Sequence, residues 1–354
     1  MTAPTVTAVS QVDIHDPRID PPPGGWAAFR ARCLPPVWDY ELLRREAWLA
    51  KNPPVLAVVR EGERVVGALS VMVCRSWRAT DFGPLSGNRL RPRWAEVYLP
   101  LLSGYPACVF DEEFGERRPA LRRFERALRK YVGPGLLGVI YRAVNPELVP
   151  ALDGRGRVAR EIDPAAVLRN TYSTVDEWER ALDPVVRPHL HQDVATEAAF
   201  GRTDLDSGEL AVLLNAHRAR QDERAWAGGQ RSRVGGLHLD TRSPIAPGYV
   251  DALVRRPDVL TRTYRDDAGR LLGFTTMIDH AGGCAVHHWA ALPSAAGGRK
   301  GLYVDCYARC VAHMIAEGRP ELTAGRAMLA EKSALGFGTR PLWSVAVPRP
   351  VLGR

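Results

Sequence analysis

The stretch that decides the fold is VLTRTYRDDAGRLLGFTTMIDHAGGCAVHHWAALPSAAGGRKGLYVDCYARCVAHMIAEG, residues 259–318. Its first part reads as two strands around a turn at Asp267-Ala268-Gly269, which predicts a β-hairpin. A third strand, CAVHHWAAL, follows, and a glycine-bearing loop leads into a helix that ends at Gly318. Residues 321–348 continue with a strand, a short helix and a closing strand.

The same order of elements occurs in the first half of the chain. Residues 53–73 predict a hairpin that turns at Glu61-Gly62, and residues 105–110 predict another strand. Apolar residues at helical spacing then predict a helix ending at Gly133, before a strand at 136–144. Two units of this kind imply an α/β fold with a mixed sheet in each half.

Two helices are predicted between the halves. Ser173 or Thr174 can cap the first, and residues 206–229 form the second, amphipathic helix. These helices would open the second domain. We therefore expect three parts: a flexible N-terminal segment at 1–24, an N-terminal domain at 25–165 and a C-terminal domain at 166–354.

The composition is that of a soluble globular protein, with 354 residues, 45% apolar and 25% charged. Six scattered cysteines give neither a disulfide framework nor a zinc pattern. Cys306, Cys310 and His313 lie close in sequence, but such cysteines usually pack as core, and no metal is expected. The N-terminus does not resemble a signal peptide, and no apolar run reaches the roughly 18 residues of a membrane span. We expect a soluble, cytoplasmic protein without a membrane partner.

Nearly all of the basic residues are arginines. The chain has 48 basic and 40 acidic residues, a net charge of +8, and its only lysines are Lys51, Lys130, Lys300 and Lys332. Arginine favours bidentate contacts with phosphate, which indicates an anionic ligand. A GC-rich source would supply arginine whatever the function, and this interpretation stays open.

The order of elements resembles the GNAT acyltransferase fold, and two copies in tandem resemble the FemAB-like, dual-GNAT transferases. Three stretches carry the resemblance: residues 172–190, 265–292 and 301–338. In the last, a helix, a glycine, a strand, a second glycine and a lysine before Gly-Phe-Gly follow the C-terminal signature of the family. The resemblance extends over about 170–345 and is architectural over 25–150.

This resemblance implies an enzyme that moves an acyl group from an activated carrier onto an amine. The carrier is acyl-coenzyme A in ordinary GNAT enzymes and aminoacyl-tRNA in the FemAB branch. The fold would be two tandem GNAT-like domains with a cleft between them. The C-terminal domain would bind the donor and the cleft would bind the amine, with no tightly bound cofactor.

The loop AAGGRKG is the first candidate for donor binding. Gly297, Gly298 and Gly301 let the backbone approach a ligand, and Arg299 and Lys300 favour an anion before a helix N-terminus. The loop departs from the coenzyme A pattern of the GNAT family, which counts against that donor. A charged surface turn is the other interpretation.

The segment VVRPHLH supplies two further donor-binding candidates. Arg187 and His191 in this segment are placed to reach the donor.

The catalytic candidates follow from the C-terminal signature and the preceding helix. AEKSALGF contains Lys332 where ordinary GNAT enzymes often have a tyrosine, and the resemblance implies that this lysine binds the donor end and stabilises the oxyanion. Asp305 could accept the proton of the attacking ammonium, with Tyr303 orienting it and Tyr307 nearby. An aspartate in the first turn also favours the helix dipole without any catalytic role.

The strand before this helix contains the aromatic candidates. His287 and His288 are consecutive on a strand and are expected to point to opposite faces. One is expected to face the packed side of the sheet and the other the cleft, and either could act as a base. We select His288 as the candidate, while a buried core histidine is the alternative. Trp289 is either core or a platform for the substrate.

The predicted helix at 206–229 and the residues after it are rich in arginine. The arginines are Arg218, Arg220, Arg224, Arg231 and Arg233. A phosphate-binding face for tRNA is one interpretation, and a solvated helix is the other. Arg220 and Asp222, together with His217, are the candidates for substrate contact.

The sequence therefore favours an N-acyltransferase that moves an aminoacyl group from aminoacyl-tRNA onto a primary amine of a small natural-product-like acceptor. The degenerate coenzyme A loop, the lysine and the basic charge favour this donor. An acetyl-CoA-dependent GNAT enzyme is the alternative, and a non-catalytic RNA- or partner-binding protein is a second one. DNA is not an expected partner.

Overall fold

A computed structural model describes residues 10–74, 90, 92–99, 101, 104–190, 192–228 and 243–354. The strands in these ranges are β1 (Gln11–His15), β2 (Pro54–Glu61), β3 (Arg64–Cys74), β4 (Arg93–Val97), β5 (Cys108–Phe110), β6 (Leu136–Val144), β7 (Val158–Arg169), β8 (Ala195–Phe200), β9 (Val259–Arg265), β10 (Leu271–His280), β11 (Gly283–Ala291), β12 (Glu321–Thr323) and β13 (Gly338–Pro348). The helices are α1 (Trp26–Cys33), α2 (Tyr40–Leu49), α3 (Arg117–Val132), α4 (Val149–Leu152), α5 (Val175–Ala181), α6 (Ser207–Ala227), α7 (Pro247–Val254), α8 (Leu302–Ala316) and α9 (Leu329–Ala334).

These strands form one mixed sheet in the order β1-β2-β3-β4-β6-β13-β7-β12-β11-β10-β9-β8, with β5 paired to β3. Most neighbours are antiparallel, but β4 pairs parallel with β6, and β11 pairs parallel with β12. A parallel pair needs a long crossover, which α3 provides in the first half and α8 in the second. The repeat of hairpin, strand, helix and parallel strand confirms the predicted tandem α/β fold.

The last strand joins the two halves. β13 pairs antiparallel with β6 of the first half and with β7 on its other side. β7 spans the expected domain boundary at residues 165 and 166 and also pairs with β12. The two halves therefore share one continuous sheet.

A buried ion-pair network fixes the C-terminal end of the chain to α3. Glu125 on α3 is fully buried and accepts two hydrogen bonds from Arg157, each 2.7 Å long. The same carboxylate accepts the Tyr141 hydroxyl at 3.1 Å and the Gly353 N–H at 2.7 Å. Several donors therefore offset the cost of burying this charge.

The strands β1, β4, β7 and β8 occur where the sequence predicts none, and β1 and β4 illustrate the reason. Residues 11–15, expected in the flexible segment 1–24, form β1, because β2 offers them a pairing edge. β4 lies between the predicted hairpin at 53–73 and the predicted strand at 105–110, where no strand is predicted. Its Glu96 is buried because Arg142 donates two hydrogen bonds to it, at 2.6 and 2.9 Å. Tertiary pairing decides both strands, which local propensity does not show.

The hydrophobic core has two main clusters. One packs α1, α2 and α3 against the strands of the first half and extends to α6 and α7. The other surrounds α8 in the second half, between this helix and the strands β10, β11 and β12. Within the described ranges, no helix is long and apolar enough to cross a membrane.

Candidate functional site: a cleft between the two halves

The parallel pair of β11 and β12 opens a gap in the sheet. The two strands are paired at only two positions, ending at Ala285 opposite Thr323. Beyond them β11 stays with β10, whereas the chain after Thr323 bonds to Ala166 of β7. This divergence leaves a cleft.

The cleft has about 780 Å³ of empty space, including its open mouth. Its walls come from both halves of the chain. The second half contributes β11, α6, α8 and the loop before α9, and the first half contributes Leu101, Gly104 and Tyr105. The described lining residues are Leu101, Gly104, Tyr105, His217, Gln221, Val286, His287, Trp289, Tyr303, Tyr307, Ala324, Gly325, Arg326, Ala327, Met328 and Lys332. The cleft therefore brings together five of the predicted site residues, namely Lys332, Tyr303, Tyr307, Trp289 and His217.

Lys332 is almost fully buried at the wall of this cleft. Its Nζ donates hydrogen bonds to the carbonyl oxygens of Ala324 and Ala327, the second at 2.6 Å, and lies 5.4 Å from the centre of the Tyr307 ring. An ammonium group has three N–H donors, so one is left for a ligand. Burial lowers the pKa of Lys332 to about 8.

Three aromatic side chains form one wall. The Tyr303 ring centre lies 5.9 Å from that of Trp289 and 4.7 Å from that of Tyr307. Burial raises the pKa of both tyrosines, which are therefore neutral phenols at physiological pH. Trp289 thus lies in the cleft wall as well as against the core residue Tyr264.

The two histidines are adjacent in space, and the prediction that they point to opposite faces is wrong. Thr276 pairs with His288 but Met277 pairs with Val286, so His287 is the extra residue of a β-bulge. A bulge breaks the alternation of side chains. The two imidazole centres are consequently only 4.0 Å apart.

His287, rather than His288, lies on the cleft wall. Neither of its ring nitrogens has a hydrogen-bond partner among the described residues. Burial lowers its pKa to about 3, so the ring is neutral and offers an unpaired acceptor to the cleft. His288 lies behind it with its ring 6.4 Å from that of Tyr249, which corrects our choice of His288 as the base.

Asp305 does not line the cleft. Its side chain is fully buried and accepts hydrogen bonds from the Gln192 N–H at 2.9 Å and from Arg309 Nε at 2.7 Å. Its Oδ1 therefore holds the segment before β8 against α8, and its Oδ2 pairs with Arg309 on the same helix. This geometry contradicts the predicted role of Asp305 as proton acceptor and makes it a positioning residue.

The glycine loop before α8 is a closed turn. The Gly298 N–H donates to the Pro293 oxygen at 3.0 Å, and a Cβ on Gly298 would lie 2.0 Å from the Leu292 oxygen. A glycine is needed here because the backbone at Gly298 packs closely against residues 292 and 293 of the same loop. This geometry contradicts the predicted phosphate cradle at Gly298. The remaining donor candidates of the loop are the exposed Arg299 and Lys300 and the half-buried Gly301.

Arg187 and Arg220 bind backbone carbonyls. Arg187 donates to the oxygens of Arg180 and Leu182 and so caps α5, which corrects its predicted contact with the donor. Arg220 donates to the Ala291 oxygen at 2.7 Å, at the end of β11. Neither guanidinium lines the cleft, because each binds backbone carbonyl oxygens at the end of a secondary-structure element.

The remaining candidates near α6 divide into three groups. His217 and Gln221 line the cleft, and His217 Nδ1 accepts the Ala291 N–H at 3.4 Å. Asp222 lies on α6 outside the lining. His191, Arg231 and Arg233 lie outside the described residues.

A cluster of Asp279, Cys284 and His313 has its possible ligand atoms within 4.8 Å of one another. Arg319 donates two hydrogen bonds to Asp279, at 2.6 and 3.0 Å, and His313 Nε2 lies 3.3 Å from the same carboxylate. A metal ion would face this guanidinium, so the cluster is an ion-pair network. The cysteines, including Cys306 and Cys310, are free thiols.

Sequence reasoning missed the wall that the first half contributes. A Cβ on Gly104 would lie 3.0 Å from the Gly325 Cα, so two glycines let the halves meet at the cleft. Tyr105 follows directly and lines the cleft. Met328 has a φ of 54°, a strained backbone at the cleft edge of the kind found at functional sites.

Comparisons with known proteins identify the fold. No protein-family model and no curated protein matches the chain. Among solved structures, a tandem GNAT protein from the clavulanic acid biosynthesis pathway superposes with a TM-score of 0.51 and 14% identity, over 96% of this chain and 98% of that one. FemX superposes with a TM-score of 0.52 and 10% identity, over 86% of this chain and 89% of that one. The protein therefore has a tandem GNAT fold similar to that of FemX.

Proposed function

We propose that the protein is an amide-forming acyltransferase whose cleft binds an activated acyl donor with the donor carbonyl at Lys332. The observation that carries this proposal is the buried Lys332 ammonium, with two N–H groups bound to the loop and the third left for a ligand. The GNAT fold supports it, because the cleft lies where the parallel strands diverge.

The proposed chemistry needs a positive charge at the carbonyl oxygen. When an amine attacks, this oxygen becomes negative, and a fixed ammonium in a cleft shielded from water stabilises it strongly. A C–N bond forms, the C–O bond to the carrier breaks, and the proton of the amine passes to the leaving oxygen. The neutral His287 imidazole accepts a hydrogen bond from the amine and orients it.

Aminoacyl-tRNA is the donor we favour, with a primary amine of a small molecule as acceptor. The closed turn at Gly298 has no open cradle for the diphosphate of coenzyme A. Cationic side chains follow the edge near the end of β11: Arg220 at the Ala291 oxygen, Arg270 at the Ala296 oxygen, and the exposed Arg299 and Lys300. Such an edge suits an extended polyanion.

Acetyl-CoA is the second candidate donor. The similarity in fold to the tandem GNAT protein from the clavulanic acid biosynthesis pathway, a structure without AcCoA, favours it. Calorimetric titrations of the full chain with acetyl-CoA and with a charged tRNA pool, each at low and high salt, separate the two. We expect tRNA binding that weakens with salt and no saturable binding of acetyl-CoA.

The opposite pattern in these titrations would replace the donor and keep the acyltransferase. Binding of neither would overturn the proposed function. Salt-sensitive tRNA binding that never leads to transfer, and that is insensitive to Lys332 substitution, would instead indicate a non-catalytic RNA-binding protein.

The substitution His287→Leu tests the orienting role of this histidine. We expect the single-turnover rate of transfer to fall by about 10²-fold, the usual effect of removing a group that accepts a proton or an N–H hydrogen bond in the transition state. Donor affinity should stay unchanged. The matched control is His288→Leu, on the same strand and similarly buried but off the cleft wall, which should cost less than about threefold. Equal losses in both variants would refute the assignment.

A further inference from the structure

A second cavity lies beside the cleft, between α2, β3, α6 and α7. It has about 440 Å³ of empty space, including its mouth. Most of its wall is apolar, from side chains that include Leu49, Met72, Leu101, Ile245 and Tyr249. A pocket with apolar walls and few polar groups is the kind of site that small molecules occupy.

One charged group in this wall is unpaired. Ser243 Oγ accepts the Lys51 N–H at 2.6 Å, and the Ser243 carbonyl accepts Arg218 Nη1 at 3.1 Å. Asn52 is also engaged in an interaction. The Glu46 carboxylate, by contrast, shows no hydrogen bond or ion pair with any part of the chain that the structure describes.

We propose that this cavity, the Glu46 pocket, is a second ligand site that takes a small organic cation, an ammonium group on an apolar body. Glu46 is half-buried beside these apolar side chains, and a ligand ammonium would supply an ion-pair partner for its carboxylate. The apolar walls bind the body of the ligand through burial of its surface. A neutral ligand would leave Glu46 without an ion-pair partner among the described residues.

The protonation of Glu46 makes this binding depend on pH. Burial raises its pKa to about 7, and the groups that face it from the neighbouring helices are Tyr249 on α7 and Arg218 on α6. Burial raises the pKa of Tyr249, so this residue stays a neutral phenol, and arginine stays charged. Cation binding therefore strengthens as pH rises through 7, where Glu46 becomes a carboxylate.

The Glu46 pocket adjoins the cleft. Leu101 lines both cavities, and Tyr249 of the pocket lies against His288, whose ring contacts His287 of the cleft. If the proposed transferase function holds, the pocket selects an acceptor with a basic nitrogen on an apolar body. The binding itself does not depend on that function.

The experiment is a titration of the full chain with benzylamine and with its neutral analogue benzyl alcohol. We expect benzylamine to bind about tenfold more tightly at about pH 8.5 than at about pH 5.5, where Glu46 is protonated and the amine is charged throughout. Glu46→Gln should lose this pH dependence and bind benzylamine about tenfold more weakly at the higher pH. Benzyl alcohol should bind both proteins equally.

The matched control is Glu41→Gln on the same helix, whose carboxylate is exposed and paired with Arg44 and Arg45. It should bind benzylamine like the unmodified protein. Glu46→Gln removes an unpaired charge, so its thermal midpoint should not fall. Absence of benzylamine binding, or equal binding by Glu46→Gln and the unmodified protein, would overturn the proposal. Neither result would affect the donor titrations, so the two proposals fail separately.

Discussion

The substitution Lys332→Met is expected to lower the rate of acyl transfer by about 10²–10³-fold, the usual effect of removing one oxyanion-stabilising donor. Methionine keeps the length and apolar stem of the side chain but removes the charge and all three N–H donors. The oxygens of Ala324 and Ala327 lose their partner, so a moderate loss of stability accompanies the change. The measurement is single-turnover transfer from saturating donor, with circular dichroism to check folding.

The pH profile supplies a second test of Lys332. Its pKa of about 8 means that the ammonium is present below this pH and is lost above it. The transfer rate of the unmodified enzyme, corrected for the fraction of neutral acceptor, should therefore fall as pH rises through about 8. The Lys332→Met variant should not show this decrease. The control is Lys130→Met, an exposed lysine on α3 outside the cleft lining. A rate within about twofold of the unmodified enzyme for Lys332→Met would show that this lysine has no role in the chemistry.

The substitution Glu125→Ala is expected to lower the free energy of unfolding by about 3–5 kcal/mol, because it leaves the buried Arg157 guanidinium without its partner. It also removes the acceptor of the Tyr141 hydroxyl and of the Gly353 N–H. The network fixes the segment after β13 to α3, and β13 is the strand that the two halves share. Its loss should therefore weaken the junction of the halves as well as the first half.

Urea unfolding of the full chain measures this effect. The control is Glu116→Ala, an exposed residue just before the same helix whose side chain makes no capping hydrogen bond. It should change stability by less than about 0.5 kcal/mol. A loss below about 1 kcal/mol for Glu125→Ala would show that the ion-pair network does not hold the C-terminal end.

Local patterns predicted the repeated unit well. The hairpins, the helices α3 and α8 and the strands β6, β11 and β13 follow from apolar spacing and glycine turns, and they lie close to their predicted positions. The strands β1 and β4 could not be predicted, because their buried positions depend on partners far away in sequence, such as β2 and Arg142. The position of β13 between β6 and β7 also depends on strand pairing, which a short stretch of sequence does not reveal.

The candidate site was predictable in part, for a similar reason. Tyr303 and Tyr307 are four residues apart on α8, where helical spacing places them on one side, and Lys332 was selected through the resemblance of the C-terminal signature. His287 depends on a β-bulge, which strand alternation does not reveal. The closed turn at Gly298 looks like an open glycine loop in sequence, since the same residue type serves both purposes.

Affinity labelling of the cleft asks whether the donor binds beside His287 and Lys332, and it needs no knowledge of the acceptor. The probes are bromoacetylated aminoacyl-tRNA and bromoacetyl-coenzyme A, applied to a Cys33→Ser background, because Cys33 is a half-buried thiol, whereas the other cysteines are buried. The account predicts that the tRNA probe alkylates His287, whose neutral ring has unpaired nitrogens on the cleft wall, and that peptide mass spectrometry finds no such label in His287→Leu. Labelling by the coenzyme A probe alone would change the donor. Labelling of no cleft residue by either probe would contradict the account.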